Sequence, residues 1–201
     1  MTGAAWGGYQ DYIEGRFDGK NHLDEGQVQQ DGSMIMHGAG IPYMVPSKSY
    51  IEYLKTLVAK AIDGGVTAIY LEEPEFWTRA GYSEGFKREW QDFYKEPWQA
   101  QHESPEATFR SAKLKYNLYF RALQEVFHYA KEYSTSKGKP VKCYVPTHSL
   151  ISYSAWQIVS PESSLSHLTD MDGYIAQVWT GTARTAINYN GSVKERTFEN
   201  A

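Results

Sequence analysis

Three carboxylates, Glu72, Glu73 and Glu75, stand at the end of a continuous apolar run, residues 66–71. Like charges packed so closely repel one another and raise each other's proton affinity, so a fold keeps them only with a compensating group or a use. Glycoside hydrolysis is such a use. It needs one carboxylic acid with a raised pKa to protonate the leaving oxygen, and a second carboxylate as nucleophile or base. The plain alternative turns Glu72 and Glu75 outward, paired with Arg79, Lys87 or Arg88 at the surface. Aromatic residues make up 15% of the chain, and Trp77, Trp156 and Trp179 each follow shortly after an expected strand. A pyranose offers an apolar face that stacks on an indole, although tryptophans that only pack loops over a core occupy the same places. Trp179 lies among small polar residues, and Gln177 is expected to face the same cavity. Tyr82 and Trp98 either roof such a site or pack on a neighbouring helix. His37 and His148 close two other strands, where each could donate to a sugar hydroxyl or hold a carboxylate in place. With Glu73 they also form the donor set of a metal-dependent sugar isomerase or epimerase.

The elements that must position these side chains follow from periodicity. Apolar runs at 33–37, 66–71, 141–145 and 173–179 predict four buried strands. Between them, Ser49 with Glu52 makes a capping box ahead of Tyr50, Leu54, Leu57, Val58, Ala61 and Ile62, and Gly64-Gly65 stops that helix. Ser83 caps a short helix, and Ser104-Pro105-Glu106 opens a long one. Its apolar stripe runs through Phe109, Ala112, Tyr116, Tyr119, Leu123, Val126, Phe127 and Ala130 to an exit at Lys137-Gly138-Lys139. Ser160-Pro161-Glu162 predicts another short helix, residues 193–201 read as a helix beginning, and residues 1–32 read as a loop-rich leading segment. Strands alternating with helices predict an α/β fold with a parallel sheet covered on both faces. An open doubly wound sheet and part of a (β/α)8 barrel both fit, and both place function at the carboxyl ends of the strands. Gly38-Ala39-Gly40 lacks the third glycine of a dinucleotide turn and runs into Pro42, which weighs against the open sheet.

The run Ile69-Tyr70-Leu71-Glu72-Glu73-Pro74 resembles the Asn-Glu-Pro ending of strand four in the large clan of barrel glycoside hydrolases that includes many β-galactosidases and β-glucanases. The resemblance implies a TIM-type (β/α)8 barrel, Glu73 as the acid/base, and a carbohydrate substrate. Glu72 stands where the family has an Asn that contacts the sugar 2-hydroxyl. The family's nucleophile is a Glu ending strand seven. Counting from 66–71 as strand four puts that residue beyond Ala201 and two strands ahead of Met1, so residues 1–201 are expected to be the middle of one catalytic barrel, completed by the remainder of a parent chain. A complete small domain with a four-stranded parallel sheet is the alternative. Glu73 is then the catalytic residue, with Glu72, Glu75, His37, Trp77, His148, Gln177 and Trp179 contacting substrate; no cofactor and no metal are called for.

Composition narrows the other classes. With 20 Lys+Arg against 24 Asp+Glu and a net charge of -4, the chain lacks the basic excess of a nucleic-acid binder. No apolar run is long enough to span a bilayer. The single cysteine, Cys143, sits mid-strand as a core thiol. Asp170 and Asp172 precede the fourth strand and so belong to the opposite rim, while the lysines are expected on solvated helix faces. A carbohydrate-binding barrel without chemistry is the third possibility.

Overall fold

The computed structural model describes residues 1–4, 7–72, 76–147, 156–159, 165–176, 186–189 and 192–195. Along the chain, β1 (Thr2–Ala4) and α1 (Gln10–Ile13) precede a hairpin of β2 (Met36–Gly38) and β3 (Ile41–Pro42). Helix α2 (Lys48–Asp63) leads to β4 (Ala68–Leu71) and β5 (Phe76–Trp77), then to α3 (Glu84–Tyr94) and α4 (Pro105–Ser136). Strands β6 (Lys142–Thr147), β7 (Ile158–Val159) and β8 (Gly173–Ala176) follow, with β9 (Ala186–Tyr189) and β10 (Ser192–Glu195) forming an antiparallel pair.

The main sheet has the order β1-β4-β6-β8, and each neighbouring pair is parallel. Three of its strands are the predicted ones. The fourth is not 33–37, which forms the β2–β3 hairpin with antiparallel pairing. The reason is local. Gly40 takes φ 72°, so the chain reverses at once, and a tight turn yields an antiparallel partner whereas a parallel one needs a long crossover. The edge place is taken instead by β1, Thr-Gly-Ala, which has no apolar run and lies in the segment read as loop. Residues 193–195, expected to start a helix, are likewise strand, in β10.

In-register residues Ile69, Leu71, Cys143 and Val145 share one face of the sheet and form one core with Leu54 and Val58 of α2 and Leu118, Tyr119 and Leu123 of α4. Tyr70, Tyr144 and Ile175 lie on the opposite face and are half-buried, so among the described residues that face is less fully covered than the one against the helices.

The helix starts are legible in part. Ser83 and Ser104 cap α3 and α4 as read, through bonds from the Phe86 and Ala107 N–H groups. Helix α2 is capped by Ser47, which accepts from the Tyr50 N–H, and not by Ser49, whose hydroxyl is used elsewhere. In α4 the first turns bury Ala107, Ser111, Leu114 and Lys115 rather than Phe109, which is 62% exposed. From Tyr119 to Ala130 the predicted stripe is the observed one.

Candidate functional site

The carboxyl ends of the parallel strands carry the loops. Beyond β4 come Glu72, which is exposed, then β5, paired antiparallel with β7. Trp77 in β5 is a structural junction. Its backbone N–H donates to Gln27 Oε1 at 3.1 Å, its indole meets the Tyr43 ring edge-on at 5.7 Å, and the Arg79 guanidinium sits over its face at 4.3 Å. The indole N–H is buried and has no hydrogen-bond partner among the described residues. Tyr43 in turn meets the His37 ring at 5.1 Å. An added Cβ at Gly7, just beyond β1, would come within 3.1 Å of Ile41 and 3.4 Å of His37, so the hairpin sits directly on that strand's exit. His37, Tyr43, Trp77 and Arg79 thus form one continuous run across the exits of β1 and β4. Glu73, Glu75, His148, Gln177 and Trp179 lie outside the described residues. Of the eight residues singled out, the structure therefore places Glu72, His37 and Trp77, and it links the last two through Tyr43.

Behind this run lies a support that the sequence reading missed. Lys115 is 1% exposed, although lysines were expected on solvated faces. Its ammonium donates to the Thr78 carbonyl and to Gln101 Oε1, both at 2.7 Å. It lies 5.7 and 5.9 Å from the Phe76 and Phe86 rings. No carboxylate accompanies it among the described residues, so desolvation pulls its pKa down from the ordinary 10.5 to about 7. Gln101 is fixed in full, accepting also from Ser111 at 2.8 Å and donating to the Thr78 carbonyl at 2.9 Å. Only the spacing of Ser111 and Lys115, one helical turn apart on an otherwise apolar face, hints at this in sequence.

A second knot fastens the leading segment. Glu25, 5% exposed, accepts from Tyr12 and Ser47 at 2.5 Å each and from Ser49 at 2.8 Å, with Arg88 at 3.5 Å. Burial pushes the Tyr12 hydroxyl far above its ordinary pKa, and the bond to Glu25 adds to the shift. Three hydroxyls and a guanidinium satisfy a carboxylate that would otherwise be costly to bury. Shut off from solvent, this group holds the chain ahead of α2 in place.

Beside Arg79 the loops leave an open pocket of about 700 Å³. Tyr82 lines it, sharing a 2.9 Å hydrogen bond with His102, while Trp98 packs edge-on against Tyr82 at 5.6 Å. Tyr82 thus forms a wall, and Trp98 backs it.

Comparison with known proteins is sparse. No family profile and no curated protein matches the chain. The fold resembles part of a solved structure. That structure is the β-galactosidase from the psychrophilic Marinomonas ef1, matched at TM-score 0.54 and 10% identity over 84% of this chain. The chain spans 30% of that protein's length. At this identity the likeness concerns the fold.

Other groups are structural. Cys143 is fully buried, and desolvation pushes its thiol up to about 12, as suits an inert core residue. Among the described residues no three His, Cys, Asp or Glu side chains gather as metal ligands, and no helix is long and apolar enough to cross a membrane.

Proposed function

We propose that this chain is a sector of a (β/α)8 glycoside hydrolase barrel in which Glu73 is the general acid/base and a carboxylate outside residues 1–201 attacks the anomeric carbon or activates water. One observation carries the reading. The Glu72-Glu73-Pro74-Glu75 segment leaves the carboxyl end of an inner strand, β4, in a parallel sheet whose order runs in one direction without a reversal among the described strands. An open doubly wound sheet reverses its order and binds ligands at that switch point, whereas a barrel advances strand by strand and keeps its chemistry at the carboxyl ends. Partial likeness to a β-galactosidase supports the same fold. In a barrel, the half-buried face with Tyr70, Tyr144 and Ile175 is the interior, completed by the remaining strands.

In this reading the neighbours Glu72 and Glu75 act on Glu73 by keeping its proton affinity high enough for acid work near neutral pH. His37, Trp77, His148, Gln177 and Trp179 are the substrate contacts of this reading, although Arg79 covers one face of the Trp77 indole and its N–H is buried.

The test is Glu73→Gln in the intact protein. Turnover of glycosides with poor leaving groups should fall by about 10²- to 10⁴-fold. Activated aryl glycosides, which leave without protonation, should lose much less. Equal turnover of both classes before and after the substitution would remove Glu73 from the chemistry. Loss of activity on chelation, restored by a divalent cation, would replace the acid with a metal site.

A further inference from the structure

The pocket beside Arg79 is built from loops on the carboxyl-end side of the sheet and the start of α4. Gln30 and Asp31 come from the connection between β1 and α2, Arg79, Tyr82 and His102 from the connection between β4 and α4, and Thr108 from the first turn of α4. Its volume of about 700 Å³ falls in the range of small-ligand sites. Its chemistry is mixed and nearly balanced. Arg79 contributes a guanidinium that rests on the Trp77 ring, with no carboxylate partner among the described residues. Opposite in charge, the Asp31 carboxylate is used on one oxygen only, by the Ser33 N–H at 2.9 Å and hydroxyl at 2.6 Å. Gln30 adds an amide that both donates and accepts, and the Tyr82 and His102 rings lie nearly parallel, 5.8 Å apart.

Donors and acceptors set side by side, with an aromatic wall and no net charge excess, match a ligand whose every polar group both donates and accepts. Sugar hydroxyls do this; phosphates and carboxylates only accept, and would meet Asp31 as a like charge. The walls are also held before any ligand arrives. Gln101, which lines the pocket, has its amide fixed by Lys115, Ser111 and the Thr78 carbonyl, and this fixes the backbone that carries Arg79. Such preorganisation lowers the ordering cost of binding. Arg79 touches both the pocket and Trp77, so the pocket adjoins the run of side chains across the exits of β1 and β4.

We infer that this pocket binds the neutral, non-reacting sugar rings of an oligosaccharide, as an additional contact beyond the reacting ring. The inference rests on the glycan reading above for the ligand's class, but not on Glu73 for its chemistry.

The test is calorimetric titration of the Glu73→Gln protein with neutral β-linked gluco- and galacto-oligosaccharides of increasing length, repeated after adding Gln30→Ala and His102→Ala. Both side chains are exposed, and circular dichroism checks that the fold is kept. Affinity should rise with chain length, and the ratio of long-chain to monosaccharide affinity should fall about tenfold in the pocket variant. Length-independent binding, or a ratio that the pocket variant leaves unchanged, overturns the inference. The two readings fail separately. Length-dependent binding lost in the pocket variant, with no turnover by the unaltered protein, supports the pocket and removes the hydrolase. Turnover that needs Glu73 but ignores chain length and the pocket variant does the reverse.

Discussion

The two ends of the parallel sheet treat charge differently. At the amino ends, acidic side chains are matched one by one. Asp172 accepts from Lys131, from Lys142 at 3.0 Å and from the Cys143 N–H at 2.7 Å. Asp170 pairs with His128 at 3.1 Å, and Asp63 takes the Tyr133 hydroxyl at 2.9 Å, tying the last turns of α2 and α4 together. At the carboxyl ends, by contrast, the Trp77 indole N–H has no partner among the described residues, Arg79 rests on an aromatic face, and the loop is held from below by an ammonium that meets only neutral acceptors. The amino end spends its polar groups on itself; the carboxyl end does so at Glu25 but leaves Arg79 beside the open pocket with no carboxylate partner among the described residues. Ligand sites on a rigid scaffold have this character, because groups that already satisfy one another have nothing left to bind with.

pH responses in separate windows should expose this difference, and the larger comes from Lys115. The unfolded chain keeps the Lys115 proton up to about 10.5, the folded one only up to about 7, so unfolding takes up a proton between those values. Stability should therefore rise with pH across that window, by up to about 1.4 kcal/mol per unit from this group. Lys115→Met should flatten the rise, as read by chemical denaturation at pH 6, 8 and 10. An unchanged slope would mean that the carboxyl-end loop does not rest on a desolvated ammonium.

Asp172 should act at the other extreme. Burial alone would raise its pKa, but the bonds from Lys131, the Cys143 N–H and Lys142 outweigh burial and hold it down at about 2, against an ordinary 3.8. Its contribution is present in full above about pH 4 and is lost as pH falls through 2. Asp172→Asn should cost about 2 kcal/mol at pH 7 and shrink the acid sensitivity of unfolding, measured by denaturant melts from pH 2 to 7. Loss of sugar binding in this variant without loss of stability would break the division between the two ends. The smallest effect is expected at a helix start on the carboxyl-end side, where Ser83→Ala removes the α3 cap and should lower stability by about 1 kcal/mol in the same melts.

Local chemistry explains which parts were legible. Runs such as 66–71 and 141–145 announce buried strands because both neighbours must be strands and at least one face must be core, and Ser83 and Ser104 announce helix starts because the orphan N–H groups need an acceptor nearby. The assignment of Asp170 and Asp172 to the rim opposite the carboxylate cluster follows from strand direction alone, and the structure agrees. Residues 33–37 misled because an apolar run does not say whether its partner is reached by a turn or by a crossover.

By itself, the sequence determined the strand-helix alternation and three of the four parallel strands, since each depends on neighbours within one turn or one strand. Tertiary structure alone decided the rest. A three-residue strand of Thr, Gly and Ala has no hydrophobic signature, and it exists because β4 offers an unpaired edge. Lys115 is buried because Thr78 and Gln101, from a distant loop, supply acceptors, and Glu25 is buried because Tyr12, Ser47 and Ser49 converge on it. No local pattern encodes those meetings, because the desolvation of a charge is offset only by groups that the fold itself brings together.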